Sequence, residues 1–249
     1  MDKLFKISLE DRFIYGIWQG FSNTPKDNSI TVIYCPGINA EKSEVHRMGV
    51  KLGKLLKENG HSLIRFDYRG LGLSDGHFSE MTNYTKLEDT KEIYHMAKKN
   101  SGCNIVFLGF SDGAKIAILA AEKFVKNFVL WSPLLVNPSL ETNSNRRIKI
   151  LKDDFGLPVI PNIGLGFGIK YFKEEKRFQK ALLKIKQFQK KTLVIYGEKD
   201  EFVRKTRSEW DNYFKEVIEI RGAEHIFSNP DWENIVLKRT LEWVGNLSK

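Results

Sequence analysis

The stretch VFLGFSDGAKIAILAA (106–121) decides how the rest of the chain is read. Its first half is a strand-like apolar run and its second half an alanine-rich helical one, with Ser111 at the junction between Gly109 and Gly113. A G-x-S-x-G match is short enough to arise by chance, so its context has to decide its meaning. A serine on so tight a strand-to-helix turn takes a strained backbone, at a cost of about 1–3 kcal/mol. Glycines two positions before and after keep strand and helix from colliding. Ser111 would also stand at the positive end of a helix, where developing negative charge is favoured.

Working outward, short apolar β-branched runs alternate with longer amphipathic ones. RFIYGIWQGF (12–21) alternates as an early, antiparallel strand should, and ITVIYC (30–35) is almost wholly apolar, as a strand buried on both faces is. SEVHRMGVKLGKLLKENG (43–60) has helical spacing and a stop at Gly60. Strands are expected at 62–67, 104–110, 127–134, 192–197 and 216–220, and helices at 87–100, from 114 onward, at 204–214 and at 232–247. This alternation predicts an α/β fold with a mostly parallel central sheet and helices on both faces. The segment 135–189 is too long for an ordinary connection. It is expected to be an inserted helical lid, with 1–134 and 190–249 forming the core.

A serine hydroxyl needs a base to take its proton and an anion to orient that base. Beyond Ser111, TLVIYGEKDEFV (192–203) ends a strand with Asp200, and EVIEIRGAEHIFSNP (216–230) ends the next with His225. Both would stand at the carboxyl edge of the sheet, where open α/β sheets gather ligands. The rival histidines are less suitable: His46 and His95 fall in expected helices, His61 precedes a strand at the wrong end, and His77 lies in a loop. Glu198 is an alternative acid, two positions nearer the strand and so worse placed to reach. An oxyanion hole needs two preorganised N–H donors. Asp112 supplies one; the loop PGINAEKSE (36–44) supplies the other from Gly37, Ile38 or Asn39, with Ile38 preferred because it follows the glycine and Pro36 has no N–H. A plain Pro-Gly turn is the bland alternative for that loop.

With CPGINA (35–40), RFDYRGLGLSDG (65–76), GFSDGA (109–114), GEKD (197–200) and GAEH (222–225), the chain resembles the α/β-hydrolase superfamily over essentially its whole length. Within it the pattern looks most like the serine-aminopeptidase-like branch, which includes lipases, esterases and acyl transferases. The resemblance implies acyl transfer through a Ser-His-Asp triad and an acyl-enzyme, with no metal and no organic cofactor. Many members carry His-Gly where this chain has Pro36-Gly37. Arg69, Gly70, Gly72 and Ser74 are read as shaping residues. The leading expectation is a serine hydrolase of carboxylic esters. The alternatives are a thioesterase or acyltransferase acting on acyl-CoA or an acyl carrier protein, and a non-catalytic ligand-binding homologue. Peptidase action would need acidic residues facing a free amino terminus, and no such cluster is evident.

The apolar, glycine-rich run GLPVIPNIGLGFGIKYF (156–172) offers Leu165 and Phe167 as pocket residues, beside Asn39 and Phe110. Its G-x-G-x-G does not follow a strand into a dinucleotide unit, so cofactor binding is not expected there. Net charge is +9, and 135–191 holds thirteen basic against five acidic residues. That segment is either a solvated lysine-rich face or a field that steers an acidic acyl carrier. No helix-turn-helix, stacking or zinc pattern points to nucleic acid. The start of the chain has no apolar h-region and no run approaches a membrane span. Cys35 and Cys103, the only cysteines, are expected at opposite ends of the sheet, which fits a reducing, cytoplasmic compartment.

Overall fold

A computed structural model describes residues 1–25, 27–121, 125–135, 149–162, 165–178 and 191–248. In chain order the elements are β1 (Lys3–Leu9), β2 (Arg12–Gln19), β3 (Ile30–Cys35), α1 (Met48–Glu58), β4 (Ser62–Phe66), α2 (Asn83–Ser101), β5 (Asn104–Phe110), α3 (Gly113–Ala120) and β6 (Phe128–Trp131). They continue with β7 (Leu151–Lys152), β8 (Pro158–Asn162), β9 (Leu165–Gly168), α4 (Ile169–Phe178), β10 (Thr192–Gly197), α5 (Glu201–Thr206), β11 (Glu216–Ile220) and α6 (Pro230–Leu247).

Eight strands form one sheet in the order β1-β2-β4-β3-β5-β6-β10-β11. The β1–β2 and β2–β4 pairs are antiparallel and the rest are parallel. Strands β3, β4, β6 and β10 are buried at every residue, which is why they are largely apolar; in β4 the exceptions are Ser62 and Arg65. Alternate side chains along each strand feed two cores. Ile33, Phe107, Phe128 and Val194 pack under α2 and α3, while Val32, Val106, Val129 and Ile195 pack under α1 and α6. In register, Cys35 pairs with Gly109 and Ile30 with Asn104, so Cys35 and Cys103 do sit at opposite ends of the sheet, and both are free thiols.

Three expectations change. The first strand, β1, is not among those read from the alternation. The helix expected over 43–60 begins only at Met48, because Glu44, His46 and Arg47 all have positive φ. The helix expected over 204–214 is α5 followed by 3-10 turns at Arg207–Glu209 and Asp211–Tyr213.

The described part of the insertion is not purely helical. The strands β7, β8 and β9 make a separate antiparallel sheet that leads into α4. Pro158 and Pro161 and the glycines of LGFG disfavour a helix there. The last glycine of the G-x-G-x-G has a packing explanation: a Cβ on Gly168 would collide with the Ser79 carbonyl oxygen. Bare glycine lets β9 lie against the 3-10 turn Phe78–Glu80, with Phe167 edge-on to Phe78.

Candidate active site

The turn after β5 has the shape the sequence called for. Ser111 takes φ 52°, a left-handed value that a non-glycine residue holds only under constraint. Its N–H donates to the Trp131 carbonyl, and its own carbonyl accepts from Ala114 and Leu134. A Cβ on Gly109 would meet the Ala114 backbone at 2.5 Å, and one on Gly113 would overlap the carbonyl oxygens of Cys35 and Pro36. Both glycines are therefore required by contact.

Three side chains from separate segments meet at the carboxyl edge of the sheet. His225 Nε2 lies 2.9 Å from Ser111 Oγ, and its Nδ1 lies 2.8 Å from Asp200 Oδ2. A carboxylate only accepts, so Nδ1 carries the proton and Nε2 presents its lone pair to the serine hydroxyl. Asp200 is fully buried at the N-cap of α5, where its Oδ1 accepts from the amides of Phe202 and Val203. Those bonds fix the carboxylate before any substrate arrives. Glu198, the alternative acid, is turned away and accepts from the Gly222 amide. The imidazole is held between rings: Phe110 stacks on it at 5.6 Å, and Phe202, half exposed, meets it edge-on at 5.0 Å. Phe227 lies behind Phe110.

The loop after β3 approaches from the other side. A Cβ on Gly37 would stand 3.8 Å from Ser111 Cβ. The Gly37 amide already donates to Glu44 Oε2, which removes it from the oxyanion candidates and leaves Ile38 next in line. Asn39 sits exposed in the same turn. Glu44 is buried and holds this loop, accepting also from Tyr34 Oη at 2.7 Å and from the Val45 amide. Its backbone, φ 59° and ψ 170°, is in a region nearly reserved for glycine. Burial raises its carboxyl pKa, and the donors from Tyr34, Gly37 and Val45 work against that rise.

Of the proposed pocket residues, Phe110 supports His225. Phe167 is buried among Phe78, Tyr171 and Phe172, so its ring serves the packing of the insertion. Leu165 is half-buried on β9, opposite Asn162. The shaping segment behaves as one. Arg69 pairs with Asp89 and Glu88, Gly70 and Gly72 have positive φ, and Ser74 Oγ bonds the Asp67 carbonyl. Much of the basic excess, including Arg146, Arg147, Lys180, Lys184, Lys186 and Lys190, lies outside the described residues. Among the described residues no cluster of His, Cys, Asp and Glu could hold a metal ion, and no helix is long and apolar enough to cross a membrane.

Residues 27–165 match the family model described as serine aminopeptidase, S33. The chain belongs to that family of α/β hydrolases. The S33 match includes Ser111 and ends before Asp200 and His225, so those two rest on the geometry above. No curated protein sequence matches the chain significantly. Among solved structures, Est1E from Butyrivibrio proteoclasticus with ferulic acid bound is similar at TM-score 0.76 and 21% identity, over 97% of this chain and 99% of that one. A soluble variant of monoglyceride lipase from Saccharomyces cerevisiae, in complex with a substrate analogue, superposes at TM-score 0.69 and 15% identity, over 100% and 96%. An esterase from Pyrococcus furiosus does so at 0.65 and 18%, over 99% and 91%. At these identities the likeness is one of fold.

Sequence inspection missed Phe202, Glu44, Lys86 and Lys115. Lys86 reaches the site through a partner 26 residues away, whereas Lys115 and Glu44 have partners close in sequence.

Proposed function

We propose that the protein is a serine hydrolase of carboxylic esters. The observation that carries this reading is the unbroken chain of contacts from Ser111 Oγ through His225 to the buried, amide-held Asp200. In acylation His225 Nε2 takes the serine proton as Oγ attacks the ester carbonyl. The carbonyl π pair moves onto oxygen, which the Ile38 and Asp112 amides receive, and collapse of the adduct breaks the bond to the alkoxide, protonated by His225. Water, deprotonated by the same nitrogen, then releases the acid and restores Ser111. Phe202 and Phe110 beside the imidazole favour an apolar ester group over a charged one. Esterase and lipase relatives of the same fold agree with that chemistry. The division into a core of 1–134 and 190–249 with an insertion at 135–189 belongs to this reading, as does a cytoplasmic, reducing setting for the two free thiols.

Reaction of the purified protein with a fluorophosphonate, followed by peptide mapping, should give one adduct, on Ser111. A panel of p-nitrophenyl esters of graded length should be turned over by the wild type. Ser111→Ala should lose both the adduct and at least about 10³-fold in kcat. A folded wild-type protein that neither labels nor hydrolyses any ester would sink the proposal.

A further inference from the structure

Asp112, one residue past the nucleophile, heads α3 yet makes no side-chain capping bond to it. Its carboxylate turns instead into a buried cluster. Oδ2 accepts from Lys86 Nζ at 2.6 Å, and Oδ1 accepts from Lys115 Nζ at 2.7 Å and Tyr171 Oη at 3.1 Å. Lys86 belongs to α2, Lys115 to α3 and Tyr171 to α4 of the insertion, and Lys86 also lies over the Tyr68 ring at 4.8 Å. All four members are buried, Lys86 completely. Burial alone would raise the Asp112 carboxyl, but Lys115 and Lys86 hold it well below the usual carboxylate range.

Taking several charges out of water costs several kcal/mol per ion, and replacing such groups with apolar ones is often neutral or stabilising. Core stability is therefore a weak reason for this cluster. Its position gives a better one, because the carboxylate it clamps belongs to the residue whose N–H is assigned above to the developing oxyanion. We propose that Asp112 is a positioning residue, whose clamp fixes the Ser111–Asp112 peptide and, through the Tyr171 hydroxyl, makes that oxyanion donor depend on the seating of α4. The segment that carries α4 then bears on the chemical step. This rests on the serine-hydrolase reading above.

Two variants test it, with Phe172→Leu as a control that disturbs the packing around Tyr171 but leaves its hydroxyl in place. Tyr171→Phe removes one oxygen; Asp112→Asn keeps the shape but strips the lysines of their anion. A full oxyanion donor is worth about 10²–10³-fold in rate, so Tyr171→Phe should lower kcat on a short p-nitrophenyl ester about tenfold. KM should stay within about twofold. Affinity for a trifluoromethyl ketone, which forms the oxyanion adduct, should weaken by the same factor as kcat. Asp112→Asn, if it folds, should lose more, and Phe172→Leu should lower Tm with kcat per titrated site nearly unchanged. A merely structural role predicts a lower Tm for Tyr171→Phe with kcat per titrated site and ketone affinity at wild-type values, and that result overturns the inference. A wild type inert to ester and fluorophosphonate overturns the hydrolase reading, and this inference with it.

Discussion

At Ser111 the backbone is held left-handed while Gly109 and Gly113 leave room for the carbonyls of β3 and the start of α3. Glycine at two fixed offsets around a serine is a local pattern, so the elbow could be read from the chain. His225 and Asp200 were legible for a related reason: each follows a strand end, and parallel strands bring their carboxyl ends to one edge. The choice between Asp200 and Glu198 needed coordinates, since only Asp200 caps α5 and faces the imidazole. Asp200→Asn should lower kcat by about 10⁴-fold, as loss of the orienting acid does when the imidazole takes the wrong tautomer. Glu198→Gln should stay within about threefold. Parallel kinetics on the two variants check this, and equal losses would show the acid has been misassigned. Phe202, the half-exposed ring on His225, was overlooked because one aromatic at the start of a helix carries no signal of what it touches.

Among the elements, the loop after β3 and the segment 149–178 depart most from periodicity. Helical spacing over 43–60 is real from Met48 onward, but Glu44 to Arg47 spend their residues on a strained turn. Glu44 is what that turn delivers, a buried carboxylate that ties the Gly37 and Val45 amides and Tyr34 Oη together. Glu44→Ala leaves donors unsatisfied at about 1–3 kcal/mol each. Tm should fall by about 5 °C or more, and kcat should fall at least tenfold as the Ile38 amide loses its support. Glu44→Gln, which keeps a side-chain acceptor, should recover part of both. A wild-type kcat in Glu44→Ala would show that this loop donates nothing to the reaction. The apolar run 156–172, read for pocket residues, contributes β8 and β9 as an antiparallel pair and the start of α4. Gly166 and Gly168 of its G-x-G-x-G approach Val159 and Ser79 closely.

For the whole molecule, the eight-stranded sheet and its two cores follow from alternation along fully buried strands, and the S33 family match agrees with that architecture. A molecule-wide consequence of the Asp112 cluster appears in acid. Because Lys115 and Lys86, against the opposing effect of burial, depress the native carboxyl below its ordinary value of 3.8, its contribution is fully present above that pH. It is lost as pH falls from about 4 through the native value. Acid unfolding followed by circular dichroism should therefore be shallower between pH 4 and 2 in Asp112→Asn than in the wild type, from a lower starting stability. Identical slopes would mean the carboxyl is not held down. By itself the chain determined the fold class, the elbow and the order of serine, acid and histidine, because each is written in periodicity or in residues close together in sequence. The tertiary structure alone decided that Asp112 is clamped by Lys86, 26 residues before it, and by Tyr171, 59 residues after. It also decided that Glu44 ties the loop after β3 together and that residues 151–168 contribute a small separate sheet. Lys86 and Tyr171 meet Asp112 where separate elements converge, and no local pattern records that convergence.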